Sequence, residues 1–185
     1  MYFILVNDNL SDFDFYINAP NDLPRNIDFI SGAFIKDDEL ETPLVFTTDA
    51  TSGTKMLDFR RGTVTLMSQK CLDLFEGAGV DNLQTFPAII KSETDGTVWD
   101  NYFAVNVLGL ISCADLSKST YAEIMPGSYR FRELAIHPEK AKGALLFRLQ
   151  EDSPSILMHK SVGKYIMEND PDETMTGWEA EDVIQ

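Results

Sequence analysis

The chain has 185 residues, is 44% hydrophobic and carries a formal net charge of −15 at pH 7. This length and composition fit one soluble globular domain that buries an ordinary core without disulfide or metal staples. The acidity argues against nucleic acid and an anionic membrane surface as partners, since both demand clustered lysine and arginine.

Tyr2–Val6 reads as a short strand that brings the N-terminus into a sheet. From Asp8 to about Arg61 the periodicity degrades, punctuated by Asn7-Asp8-Asn9, Pro20-Asn21-Asp22, Pro24 and Ser31-Gly32. Leu44-Val45-Phe46-Thr47 is its one strand-like piece, but Phe13, Phe15, Tyr16, Phe29 and Phe34 give this lobe apolar surface to bury. Order returns at Gly62, where Thr63–Leu66 reads as extended and Ser68 as a helix N-cap. After it Met67, Cys71, Leu74, Phe75 and Ala78 share one helical face, and Gly77 or Gly79 supplies the left-handed stop.

Leu83–Lys91 and Val98–Leu108 flank Asp95-Gly96 and predict an antiparallel hairpin, with Pro87 placing the first arm at an edge or a bulge. Arg130–Ile136 and Ala144–Leu149 predict a second pair around His137-Pro138-Glu139-Lys140. A short strand at Ile156–His159 leads into a helix over Ser161–Asn169 that faces inward through Val162, Tyr165 and Ile166. Trp178–Ile184 predicts a last strand that closes the sheet despite its acids.

The charge is sorted along the chain. Residues 1–50 hold ten acids and two bases, residues 165–185 hold seven acids and no base, and residues 51–164 hold thirteen of each. A neutral body therefore carries two acidic ends, which either keep the chain soluble or meet something basic. Asp37, Asp38, Glu39 and Glu41 form one cluster and Asp170, Asp172 and Glu173 the other. Neither has the alternating ligands and central glycine of a calcium loop. Both read first as solvated loops, then as partner-binding surface and last as a hard-cation site; the tryptophans read first as core, with Trp178, flanked by acids, the better candidate for an interface anchor.

Chemical motifs are incomplete. Thr51-Ser52-Gly53-Thr54-Lys55 lacks the first glycine of a phosphate loop, and Met56 follows the lysine. Gly77-Ala78-Gly79 closes a helix instead of opening one, so it is no dinucleotide loop. His137 and His159 sit in no metal-ligand pair, and no nucleophile-elbow pattern occurs. Cys71 and Cys113 stand far apart in apolar surroundings and are expected to be free, buried thiols of a reducing compartment. Met1–Val6 has no basic residue before it and reaches Asn7 too soon for a signal sequence; Phe103–Ala114 is too short to span a bilayer. The expectation is a cytoplasmic, soluble protein with no cofactor and no metal.

Several blocks carry a family likeness: Leu66–Phe75, Ala78–Gln84 and Phe86-Pro87-Ala88, then Tyr102–Gly109, Cys113–Ser119, Gly143–Leu149 and Ile156–His159. In that order they resemble the bacterial immunity protein family numbered eleven, over about Gly62–Ile166. The resemblance implies protection against toxins of polymorphic toxin systems, and it supplies no catalytic residues. The N-terminal fifty residues and the acidic tail fall outside it, where a partner-specific surface would vary.

The expected fold is α+β in one domain, residues 1–185. Its mostly antiparallel sheet has at least two flanking helices, an irregular acidic lobe over 1–61 and a body over 62–185. The expected function is an antitoxin that binds and occludes a cognate protein toxin and performs no chemistry itself; the acidity suggests that this toxin is basic and nuclease-like. Its partner-binding residues would be Asp37, Asp38, Glu39, Glu41, Asp170, Asp172, Glu173 and Trp178. The alternative is a small-ligand binder or enzyme whose site assembles only in three dimensions from Asn106, Asp115, Ser117, Lys118, Tyr121 and Arg148.

Overall fold

The computed structural model describes residues 1–7 and 15–185, so Phe13 and the Asp8-Asn9 punctuation lie outside the described residues. In chain order the elements are β1 (Tyr2–Asn7), β2 (Ile17–Asn18), β3 (Leu44–Thr48), β4 (Phe59–Arg60), β5 (Thr65–Ser68) and α1 (Gln69–Gly77). Then come β6 (Leu83–Ser92), β7 (Val98–Val107), β8 (Leu110–Ile111), β9 (Thr120–Met125), β10 (Ser128–Glu133) and β11 (Leu146–Leu149). The chain ends with β12 (Asp152–His159), α2 (Lys160–Asn169) and β13 (Trp178–Asp182).

One sheet runs β13-β1-β12-β11-β8, a second runs β2-β3-β6-β7-β5-β4, and β9 and β10 pair by themselves. The pairings are antiparallel except β3 with β6 and β8 with β11. Among the described residues the fold is therefore α+β and mostly antiparallel, with two helices and an irregular N-terminal lobe, as the sequence predicts.

Side-chain alternation explains how both sheets are covered on both faces. Leu5, Ile156 and Met158 point from the first sheet, and Met67, Val105 and Val107 from the second, into a core shared with both helices. Tyr2, Phe147 and Leu157 face the opposite way, against Cys113, Leu134 and Ile136. Leu66, Phe86 and Ala104 likewise face away from the helices and pack on the lobe.

Helix α1 starts where predicted. The Ser68 hydroxyl accepts the Cys71 amide at 3.2 Å and donates to Asp58 Oδ1 at 2.7 Å. Gly79, at φ +90°, turns the chain away after the helix. Cys71, Leu74 and Phe75 are buried as the periodicity requires. Helix α2 buries Val162 and Ile166, while Tyr165 is only half-buried and lies over Gly77. Its N-terminus is capped by His159, whose Nδ1 accepts the Ser161 amide at 3.3 Å.

Two expectations need correction, the second strand pair and the strand content before Gly62, while that for Pro87 holds. The second strand pair is two hairpins: β10 pairs with β9 across Pro126-Gly127, and β11 pairs with β12. Proline followed by a glycine at φ +79° closes the first of these hairpins. Strand β6 is interior to its sheet, and the expected bulge lies beside Pro87. Pairing with β3 begins only at Ala88, and a register shift lies between Ala88 and Ile90. The region before Gly62 also contributes the short strands β2 and β4, whose two residues each are too few to leave a period in the sequence.

Candidate functional site

The N-terminal lobe has little regular structure but is fastened to the second sheet. Ile17, Phe29, Ile35 and Leu40 are buried, and the Phe29 ring meets Phe86 edge-on at 5.7 Å. Backbone groups that lack a strand partner use side-chain amides instead. The Ile35 amide donates to Gln84 Oε1 at 3.0 Å, the Gln84 amide returns a bond to the Ile35 carbonyl, and Asn106 Nδ2 donates to the Ala33 carbonyl at 2.7 Å. Gly32 sits at φ +68°, and a Cβ there would lie 2.9 Å from the Gly109 carbonyl oxygen. Glycine is required at this crossing for both reasons.

This anchoring presents an open groove of about 570 Å³ at the start of β3. Its acids are Asp22, Asp38, Glu39 and Glu41; its apolar surface comes from residues such as Leu23, Pro24 and Val45. Asp38 and Glu41 are exposed, whereas Glu39 is half-buried and accepts the Lys36 amide at 3.2 Å, capping the short 3-10 turn Asp37–Glu39. The side chain of Asp37 lies outside the described residues. Val45 is 41% exposed, so the groove offers an apolar contact beside its charges. Among the described residues no lysine or arginine lines it. Asp22 is a member that sequence reading passes over, because only the fold returns the Pro20-Asn21-Asp22 turn to the cluster.

The C-terminal acids are arranged differently. Asp170 is 8% exposed and its carboxylate bonds inward. It meets Lys70 Nζ at 2.9 Å, the Thr174 hydroxyl at 2.6 Å and the Met175 amide at 2.6 Å. Burial pushes this carboxyl up, but those three donors outweigh burial and hold it down at about 2. Asp172 and Glu173 are exposed on the turn that follows. Thr176 then bonds Asp58 through its amide at 3.0 Å, and Gly177 passes so close to Phe59 that a Cβ would lie 2.1 Å from its carbonyl oxygen. Trp178 is half-buried against the shared core and lines an apolar hollow beside α2.

The residues of the alternative site do not converge. Asn106 and Arg148 are fully buried, Arg148 with only one hydrogen bond among the described residues, to the Ser153 carbonyl at 3.0 Å. Burial lowers the Arg148 pKa to about 10. Asp115, Ser117 and Lys118 do meet, but as a turn. Asp115 Oδ1 accepts the Ser117 hydroxyl at 2.6 Å, and Lys118 approaches Oδ2 at 3.3 Å. The Ser117 bond first, then Lys118 and His137, hold the Asp115 carboxyl low against its burial. Tyr121 stands apart on β9, ring to ring with Tyr129 at 5.0 Å.

Ser52, in the incomplete phosphate-loop fragment, donates its amide to Asp95 Oδ2 at 2.8 Å. That fragment serves as a brace for the β6–β7 turn. Cys71 and Cys113 are free and buried, and burial drives both thiols up, Cys113 to about 12. Among the described residues no group of three or more His, Cys, Asp or Glu is placed to hold a metal ion, and no helix is long and apolar enough to cross a membrane.

The model of the Immunity protein family (Imm11) matches residues 7–185. That match takes in the acidic lobe and tail as well as the blocks between Gly62 and Ile166, so the likeness is wider than the sequence blocks suggest. No curated protein matches the chain.

Proposed function

Because the chain belongs to the Immunity protein family (Imm11), we propose that it is an antitoxin acting in the cytoplasm. It binds a cognate bacterial toxin and occludes the toxin's active site, with no turnover of its own. The observation that carries the surface assignment is the groove of Asp22, Asp38, Glu39 and Glu41. It joins solvent-facing carboxylates to the apolar surface of Leu23, Pro24 and Val45. Such a surface fits a basic, partly apolar face, and its charge steers encounter before contact is made. A toxin that acts on nucleic acid must carry a basic substrate channel, so a nuclease-like partner fits this chemistry. Asp37, adjacent in sequence, belongs to the same proposed surface, as do Asp172 and Glu173 as a secondary rim. The inward bonds of Asp170 reserve it for holding the tail.

Occlusion is tested by titrating the purified cognate toxin with this protein. Toxin activity should fall linearly to zero at a fixed molar ratio and stay there in the presence of chelator. Continued inactivation at strongly sub-stoichiometric amounts would overturn occlusion and point to a protein that modifies the toxin or its target.

A further inference from the structure

Exposed sheet edges are templates for strand pairing, and proteins blunt them by keeping edge strands short. Among the described residues the two large sheets have four edges, and three of them are the two-residue strands β2, β4 and β8. The fourth is β13, five residues long. Its inner side pairs with β1 from Phe3↔Asp182 to Asn7↔Trp178. Just outside it the chain is tied down, by Thr176 to Asp58 and Phe59 and by Ile184 to Leu134 and Ile136. Among the described residues, the outward backbone groups of 178–182 have no partner.

The two faces of this edge differ. Trp178 and Ala180 look toward α2 across a mostly apolar hollow of about 600 Å³, whose other surfaces include Phe3, Met158 and Met167. Met167 is 66% exposed. Lys160 and Lys164 rim the hollow, with Lys164 paired to Glu168 at 3.6 Å. On the opposite face stand Glu179 and Glu181, both exposed, beside Val6 and Ile4 of β1.

We propose that β13 is a strand-addition site for an extended protein segment in which apolar and basic side chains alternate. Main-chain hydrogen bonds to 178–182 give such a segment its hold, and the period of two decides which side chains go where. Apolar side chains enter the hollow against Trp178, Ala180 and Met167. Basic side chains lie along Glu179 and Glu181. The opposite phase is disfavoured, because it would leave the two glutamates facing apolar groups and set basic groups against Lys160, where Asp182 at the end of the strand and Glu168, already paired with Lys164, are the acids on that side. A second copy of this chain is disfavoured by the same charges, since pairing β13 with itself brings acids together. This inference does not rest on the antitoxin reading, because the groove near Asp38 takes no part in it.

The test uses the full chain and a short synthetic peptide in which lysine and leucine alternate. Binding should be saturable, shift Trp178 fluorescence, and slow amide hydrogen exchange within residues 178–182. N-methylation of alternate peptide amides, in both phases, should abolish binding in one phase. Met167→Asp, at an exposed position, should weaken binding at least about tenfold by charging the hollow. The double variant Glu179→Lys with Glu181→Lys should instead prefer a peptide alternating glutamate and leucine. No saturable binding, exchange changes confined to other segments, or binding indifferent to both methylation phases would each overturn the proposal. Slowed exchange at 178–182 that grows with protein concentration, without peptide, would assign the edge to a second copy and also overturn it.

Discussion

The two acidic ends of this chain carry similar charge and differ at Asp170, the one tail acid that is buried among the described residues. In the N-terminal lobe Asp38 and Glu41 face solvent around an open groove. In the tail Asp170 is turned inward onto Lys70, Thr174 and Met175, and the next residues are stitched to Asp58. A run of carboxylates is therefore not in itself a docking surface. What matters is whether the oxygens are left to solvent or consumed by donors of the same chain. The lobe can give up its charges without loss of fold, because its attachment rests on Phe29, Ile35, Gln84 and Asn106. The tail cannot.

The largest expected effect removes the comparison altogether. Phe75 is fully buried in the core that joins both sheets to both helices. Phe75→Ala should cost about 3–5 kcal/mol of stability, read as a lowered midpoint in urea, and should abolish protection through loss of folded protein. A variant that keeps its midpoint would mean that this core does not hold the two ends together.

The next effect is confined to the tail. Asp170→Asn leaves the Met175 amide and the Lys70 ammonium with a poorer partner, and should cost about 1–3 kcal/mol near neutral pH. The folded-state pKa of about 2 lies below that of a free aspartate, so the stabilisation is present above the unfolded value and is lost as pH falls. The wild type should therefore lose this increment on acidification from about pH 4 towards pH 2, and the Asn variant should lack that part of the slope. Equal acid dependence in the two proteins would remove Asp170 from the account.

Helix α1 is legible in its start, its stop and most of its face because these signals are local, although Met67, read as part of that face, belongs to strand β5. Strand partners are less so. Propensity pairs the strand at Arg130 with the one after Lys142, although Pro126-Gly127 offers a nearer turn, because pairing is a non-local choice that propensity does not decide. The carboxylates of the groove were legible as a cluster, but Asp22 and Val45 were not, since only packing against β3 assembles them. Composition also does not distinguish an inward from an outward acid. A threonine four residues beyond Asp170, with a methionine after it, was the available hint that this carboxylate bonds locally.

The smallest structural effect and the most informative functional one come from the same variants. Asp38→Asn, Glu39→Gln and Glu41→Gln together, with Asp37→Asn, should change stability by no more than about 1 kcal/mol, because Asp38 and Glu41 are exposed and Glu39 caps only a short turn. A paired control, Asp172→Asn with Glu173→Gln, neutralises exposed tail acids. The decisive measurement is the association rate of the cognate toxin with wild type and both variants as a function of salt. The account predicts that the groove variant associates at least about tenfold more slowly at low salt and loses most of its salt dependence, while the tail variant changes little. Unaltered kinetics in the groove variant, or an equal loss in the tail variant, would contradict it.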